Sequence, residues 1–479
     1  MLRFRSFLSI PFIIAATLLS FLSCSESMEK KENSTLKNAT LYVTTLDQKQ
    51  LLAKHVLLEP HSENADAIVT IDTSTTYQIM DGFGFTLNGG SALHLQGMSA
   101  PARSNLLNEL FGSDSNSIGI SYLRLSVGAS DLDEKTWSYN DILEGETDLE
   151  LDQFSMAYDT LYLIPTLKEI IAIQPKIKIM GSPWSPPVWM KDNNDTRGGS
   201  LKPEFYSVYA DYLIRYIQEM KKEGIDIDAL TIQNEPLHPG NNPSLLMEAE
   251  QQALFIKDHL GPKFVAQNIK TKIIIYDHNA DRPDYPISIL NDPEAAKYID
   301  GSAFHLYGGK IEALSEVHEA HPSKNLYFTE QWIGAPGNFA GDFSWHIENL
   351  IIGAPKNWAK TVLEWNLAAD ENQQPHTDRG GCNRCLGALT LTGDSVVRNP
   401  GYYVIAQTSK FIPPGSMRIA SEIVNNIPNV TYQLPDGNIA MILQNKNSAK
   451  KNIQIVLGEA HWQIDLPAGA VGTLLLENR

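Results

Sequence analysis

The feature that most constrains this chain is an alternation. From residue 77 to residue 368, short strand-like runs take turns with longer helical stretches. A strand, a helix and another strand in succession imply parallel pairing, because the helix must carry the chain back to the same end of the sheet. Eight strand candidates can be counted: Tyr77–Thr86, Ser121–Gly128, Ile177–Gly181, Ile227–Gln233, Thr271–Tyr276, Gly301–Leu306, Asn325–Thr329 and Thr361–Trp365. The clearest helix has apolar residues at i, i+3, i+4, i+7 spacing: Phe205, Val208, Tyr209, Tyr212, Leu213, Tyr216, Ile217 and Met220, with Pro203 and Gly224 near its ends. Eight βα units in about 290 residues have the size of a closed (β/α)₈ TIM barrel, whereas seven or nine would speak for an open sheet. A chain of 479 residues has room for such a barrel and a small companion.

Both flanks read as that companion. Residues 416–478 hold short strand-like runs, among them Asn429–Leu434 and Ile439–Gln444 around the turn Pro435-Asp436-Gly437-Asn438, and residues 40–72 also look extended. The expected organisation is therefore N-terminal strands of a side β-domain over 41–76, a catalytic barrel over 77–398, and a closing helix plus C-terminal β-sandwich over 399–479.

The first 24 residues are a processing segment. Arg3 and Arg5 precede an apolar run, Phe7 to Leu22, that ends in Leu22-Ser23-Cys24, the arrangement of an export signal. An uncleaved anchor is the other reading of that run, which is near the ~20 residues a span needs. The Leu-Ser-Cys ending resembles a bacterial lipoprotein signal, which would make Cys24 the lipidated first residue and residues 25–40 a flexible polar tether. The expected location is an exported bacterial lipoprotein at the outer membrane, cell surface or periplasm, touching membrane only through the lipid. Of three cysteines, Cys382 and Cys385 then remain as a C-x-x-C. An exported chain can oxidise that pair to a loop-stapling disulfide. Free thiols are the alternative, and a zinc site would need two more ligands nearby.

Composition matters for what it excludes. A formal net charge of −18 disfavours nucleic acid, which rewards clustered Lys and Arg. The histidines His94, His238 and His278 are scattered and form no H-E-x-x-H pattern, so neither a metal nor another cofactor is expected.

Barrel enzymes keep their chemistry at the C-terminal ends of the strands. The second strand delivers Arg124 and Asp131. The third delivers Trp184 and Trp189, and the fourth Asn234-Glu235-Pro236. The sixth delivers His305 and Tyr307, the seventh Glu330-Gln331-Trp332, and the eighth Glu364-Trp365-Asn366. Glu235 sits where its strand stops, since Pro236 cannot continue the ladder. Two carboxylates facing each other across a barrel mouth are what glycoside hydrolysis requires, one to protonate the leaving oxygen and one to attack the anomeric carbon. A lone glutamate is ordinarily a solvated or paired residue, and a lone tryptophan ordinarily packs a core. Together, Trp184, Trp189, Trp332 and Trp365 suggest a wall for the C–H faces of sugars. His305 reads either as a structural histidine or as part of the site.

At these residues the sequence resembles glycoside hydrolase family 30, the group of glucosylceramidases and microbial endo-β-1,6-glucanases. The motifs are Asp81-Gly82-Phe83-Gly84, Ser182 to Lys191, Asn234-Glu235-Pro236, Asn291 to Tyr298, Glu330, Trp365-Asn366-Leu367-Ala368 and Phe411 to Ser416. The resemblance implies retention of configuration without a cofactor, Glu235 as acid/base and Glu330 as nucleophile. It further implies that Asn234 binds the sugar 2-OH, that Asp131, Trp184 and Trp365 wall the −1 subsite, and that Tyr307 contacts the nucleophile. Gly380-Gly381-Cys382-Asn383-Arg384-Cys385 departs from the animal glucosylceramidases, and the polar loops at 191–200 and 237–244 favour a hydrophilic channel. The expected activity is that of an endo-β-1,6-glucanase. A glucosylceramidase-like or exo-acting β-glucosidase is one alternative, and a non-catalytic glycan-binding lipoprotein is the alternative of another class.

Overall fold

The computed structural model describes residues 38–57 and 65–477. Eight parallel strands close into a barrel: β1 (Gly82–Thr86), β2 (Tyr122–Val127), β3 (Lys178–Pro183), β4 (Ala229–Thr231), β5 (Lys272–Ala280), β6 (Ile299–Gly309), β7 (Asn325–Glu330) and β8 (Ala359–Asn366). Each pairs with its neighbours in chain order, and β8 returns to β1. Every expected strand is present. One boundary differs, because the expected first strand is two: Ala67–Ile79 belongs to the side domain, and β1 begins only at Gly82. Glycine is obligatory inside β1, since a Cβ on Gly84 would lie 1.9 Å from the carbonyl oxygen of Tyr122.

The barrel interior is layered, and the layers follow from the period of two along a strand. Tyr122, Met180, Ala229, Ile274, Ala303, Tyr327 and Leu363 form an apolar plug from seven strands. Two residues further along six of these strands stand Arg124, Ser182, Thr231, His305, Thr329 and Trp365, all buried. Nearly every one of these is polar, so the mouth of the barrel is floored by hydrogen-bonding groups resting on an apolar base. Outside, the helices pack through apolar stripes. Tyr206–Lys222 is the expected amphipathic helix, burying Tyr209, Tyr212, Leu213, Tyr216 and Met220.

The side domain is made from both chain ends. Asn38–Thr44 pairs antiparallel with Val471–Glu477, and Ala67–Ile79 lies between Met417–Ser421 and Lys451–Leu457. Residues 38–40, assigned to the tether in the sequence, are therefore strand, because they complete the ladder with Leu475 to Glu477. The expected hairpin over Asn429–Gln433 and Ile439–Gln444 is present. This domain has its own core, including Leu41, Val69, Ile419, Met441, Ile455, Trp462 and Leu474. The helix Pro400–Ser409 joins it to the barrel, where Thr473 donates to the Gln407 carbonyl at 2.9 Å. Residues 1–37, including Cys24, lie outside the described residues.

Candidate active site

A pocket of about 310 Å³ opens at the C-terminal ends of the strands. Its lining includes Asp131, Trp184, Asn234, Glu235, Tyr307, Glu330, Trp332, Trp365, Cys382 and Cys385. Seven strands and loops distant in sequence thus converge there, and most residues expected in the site meet in it. The bond between Cys382 and Cys385 is formed. It packs with Leu132, Trp184, Trp332 and Trp365, so the loop staple is also part of the pocket wall. Trp184 and Trp365 stack with centroids 5.3 Å apart.

Three expectations are corrected. Trp189 lines a different cavity, because the turn Val188–Met190 carries it away from the mouth and its Nε1 donates to Asn140. Glu364 points outward to His346, at 2.6 Å, as alternation along β8 dictates when Trp365 faces in. His305 is fully buried and is not part of the pocket lining; its ring meets Glu235, Asp277 and Glu330 instead.

The two glutamates arrive by different means. Glu330 is the last residue of β7. Glu235 follows β4 in the left-handed region, φ +46°, which costs a non-glycine residue about 1–3 kcal/mol and recurs at functional sites. A backbone hydrogen bond from Glu235 N–H to the Asp277 carbonyl, 2.9 Å, holds the turn. An oxygen of Glu235, an oxygen of Glu330 and a ring nitrogen of His305 all lie within 4.8 Å of one another.

Arg124 organises this group. Its guanidinium donates to Glu330 Oε2 at 2.6 Å, to Asn234 Oδ1 at 2.6 Å and to Asp277 Oδ2 at 2.8 Å. A guanidinium only donates, so Arg124 fixes the oxygen of the Asn234 amide toward itself and turns the NH₂ away from it. Tyr307 donates to Glu330 Oε1 at 2.9 Å, and Asn241 donates to Glu235 Oε2 at 3.1 Å. Asp277 is a buried anion accepting from Arg124, Thr231, Thr329 and His305. Although burial works against its charge, Arg124 and His305 hold its carboxyl well below the usual range.

His305 lies between carboxylates, with Nε2 3.1 Å from Asp277 and Nδ1 3.4 Å from Glu235. Burial opposes its charge, but Glu330, Asp277 and Glu235 outweigh burial and lift its pKa to about 9. The same spacing of Glu235, Glu330 and His305 would also suit a metal ion, which would displace the proton of His305 on binding. Burial also raises Glu330, helped by Glu235 and resisted by His305 and Arg124. For Glu235 burial is overcome by the His305 hydrogen bond and charge, which pull its carboxyl below the ordinary value. A general acid is ordinarily raised by burial and a neighbouring carboxylate, and it is the placement of His305 that reverses this for Glu235. Asp131 is pushed up to about 8 by burial and by the charges of Glu330 and Glu235, so it keeps its proton at neutral pH.

Asp277 and Asn279 are site residues that the sequence reading missed, while His238 and Asn241 entered it only within the polar loop at 237–244. The signal for Asp277 was its place at the end of the fifth strand, which with the first was left unread.

The family model for the glycosyl hydrolase family 30 TIM-barrel domain matches residues 80–412, and that for the family 30 beta sandwich domain matches residues 415–474. An endo-1,6-beta-D-glucanase of Aspergillus fumigatus is 31% identical over 451 residues, covering 87% of this chain and 89% of its own length. The lysosomal acid glucosylceramidase of Mus musculus is 27% identical over 409 residues, covering 80% and 78%. Among solved structures, an endo-beta1,6-glucanase superposes with a TM-score of 0.86 at 34% identity, covering 92% of this chain and all of its own.

Proposed function

The chain belongs to glycoside hydrolase family 30 and is a β-glycoside hydrolase, and from that membership we propose that it cleaves β-1,6-linked glucan internally by double displacement. The observation that carries the mechanism is the approach of the Glu235 and Glu330 oxygens to within 4.8 Å. Retaining enzymes hold the two carboxyl groups about 5–5.5 Å apart, whereas inverting enzymes leave roughly 6.5–9.5 Å for a water between them.

In the first step Glu330 attacks the anomeric carbon while Glu235 gives a proton to the departing glycosidic oxygen. In the second, Glu235 takes a proton from water, the water oxygen attacks the same carbon, and Glu330 leaves as a carboxylate. Arg124 holds Glu330 Oε2, which makes Oε1, the oxygen under Tyr307, the attacking atom. The proton that Glu235 must carry is held one hydrogen bond away on His305 in the free site. On this reading the NH₂ of Asn234, turned away from Arg124, binds the 2-OH, and the neutral Asp131 donates to a sugar hydroxyl.

The linkage is supported by the names of the relatives and by a polar pocket rim of His238, Asn241 and Asn279. Incubation with β-1,3-, β-1,4- and β-1,6-glucans and with glucosylceramide tests it, with NMR of the first-formed anomer. Internal cuts in β-1,6-glucan with β-configured ends are expected. An α-configured first product would end the mechanism, and exclusive release of glucose or turnover of glucosylceramide would end the substrate reading.

The export signal and Leu22-Ser23-Cys24 support a lipid-anchored envelope location. Among the described residues no helix is long and apolar enough to cross a membrane. Replacing Cys24 by Ala should move the enzyme from the membrane to the soluble fraction, and a variant still held as firmly as the parent would refute the anchor.

A further inference from the structure

The pocket around the glutamates, at about 310 Å³, is at the low end of the roughly 300–1,000 Å³ of small-molecule sites, with room for roughly one or two sugar rings. A chain cut in its interior has more rings to place. A larger cavity of about 670 Å³ is lined by none of the same residues. Ser185 and Pro186 of its wall directly follow Trp184 of the smaller pocket, and its Pro243 comes two residues after Asn241, so the loops after β3 and β4 contribute to both linings.

The lining has the chemistry of a sugar site. Trp137, Trp189 and Phe205 supply aromatic surface, and each ring is pinned: Trp137 stacks on Tyr158 at 4.8 Å, and Trp189 meets Phe205 edge-on at 5.0 Å. Ser185, Asn194 and Thr196 supply hydroxyl and amide groups between them. Asp141, Glu144 and Glu146 on the same lining outnumber its one cation, Lys202, and so disfavour anionic glycans relative to neutral ones. The cavity also borders the loop that carries the acid/base, for Thr196 donates to Asn242 Oδ1 at 2.6 Å and the adjacent Asn241 donates to Glu235.

We propose that this cavity binds further glucosyl residues of the chain being cut, with their C–H faces on Trp137, Trp189 and Phe205 and their hydroxyls on Ser185, Asn194 and Thr196. This rests on the glucanase reading and extends it. Binding energy from such remote residues enters kcat/KM for long chains and is lost with short ones.

Two variants test the proposal: Phe205→Ala, which removes a ring, and Val188→Arg, which plugs the space. In the parent, kcat/KM on β-1,6-gluco-oligosaccharides should climb at least about tenfold from about two to about eight glucose units. Both variants should flatten that climb, losing at least about tenfold more on glucan than on an aryl β-glucoside, mainly through KM. Equal losses on glucan and aryl glucoside would overturn the proposal. A second measurement avoids these variants: Glu330→Gln protein, inert but folded, is titrated with the same oligosaccharides. Affinity rising beyond the length that fills the smaller pocket supports the site, and affinity flat with length refutes it. If the parent spares β-1,6-glucan and opens another β-glucan, the linkage reading fails separately, and the cavity is judged by the same length series on that glucan.

Discussion

The two ends of the barrel are made by the same eight strands, and both hold charged side chains, yet they are organised in opposite ways. At the N-terminal end Asp81 pairs with Lys178 at 2.7 Å and Lys360 at 3.6 Å, and Asp300 lies 3.8 Å from Lys272. Acids and bases are matched, and the lysines keep contact with water. At the C-terminal end Glu235, Asp277 and Glu330 gather on Arg124 and His305 with Asp131 beside them, all of them buried. A buried surplus of acids forces protons onto groups that would otherwise lack them, which is why His305 titrates near 9 and Asp131 near 8. The difference separates stability from chemistry along a single set of strands.

The sharpest way to test that separation is to remove one acid from each end. Glu330→Gln should lower kcat by at least about 10³-fold on every substrate, because no covalent intermediate can form, while its melting temperature stays the same or rises. A variant that melts earlier and keeps partial activity would show that Glu330 is structural. Glu235→Gln should lose about 10²–10⁴-fold on glucan, yet still be glycosylated by an aryl glucoside whose leaving group needs no proton. That reaction should show a burst, and azide should restore turnover with a β-configured product. Identical behaviour of the two glutamine variants would mean their roles are misassigned.

Smaller effects should appear in stability. Replacing both Cys382 and Cys385 by Ser should cost about 2 kcal/mol in denaturant unfolding, the loop-entropy expectation for so short a ring. At the other end Asp81→Asn should cost about 1 kcal/mol, a figure reduced because the Lys178 side chain is one-third exposed, with kcat unchanged. A fall in kcat there would erase the contrast between the ends. A further effect is one of pH. Asp131 has its folded pKa raised from 3.8 to about 8, so the stability from its extra proton is fully present below about pH 3.8 and is lost as pH rises through about 8. Asp131→Asn should accordingly melt higher than the parent at pH 8 and show little gain near pH 4. An equal gain at both would place the Asp131 proton elsewhere.

Much of this was legible in the chain. Alternating strands and helices announce the barrel, and Glu235 and Glu330 stand where apolar runs stop. The merged strand Tyr77–Thr86 was misread although Asp81-Gly82 is a turn dipeptide, because the apolar residues on either side of it read as one run. The partition there comes from Ala67–Ile79 pairing with Met417–Ser421, more than 300 residues away.

The clearest division is in the floor of the pocket. Period-two alternation determined by itself that Arg124, Ser182, Thr231, His305 and Thr329 share a face with the apolar plug, because each lies two residues beyond a plug residue. The same rule applied to β5 takes Ile274 to Tyr276 and predicts a tyrosine in the site. Instead Tyr276 and Asp277 adopt φ of +73° and +63°, and the pairing of β5 with β6 slips between Tyr276 and His278. A slip of one residue exchanges the faces of a strand, so Tyr276 turns out to pack against Tyr285 and Phe304, and Asp277 turns in beneath Arg124. Residue identity and period settle which side chains can face inward. Whether the period holds at a given strand end is settled by the partners that wait there, in this case a buried guanidinium and an imidazolium that make an inward carboxylate the lower-energy arrangement.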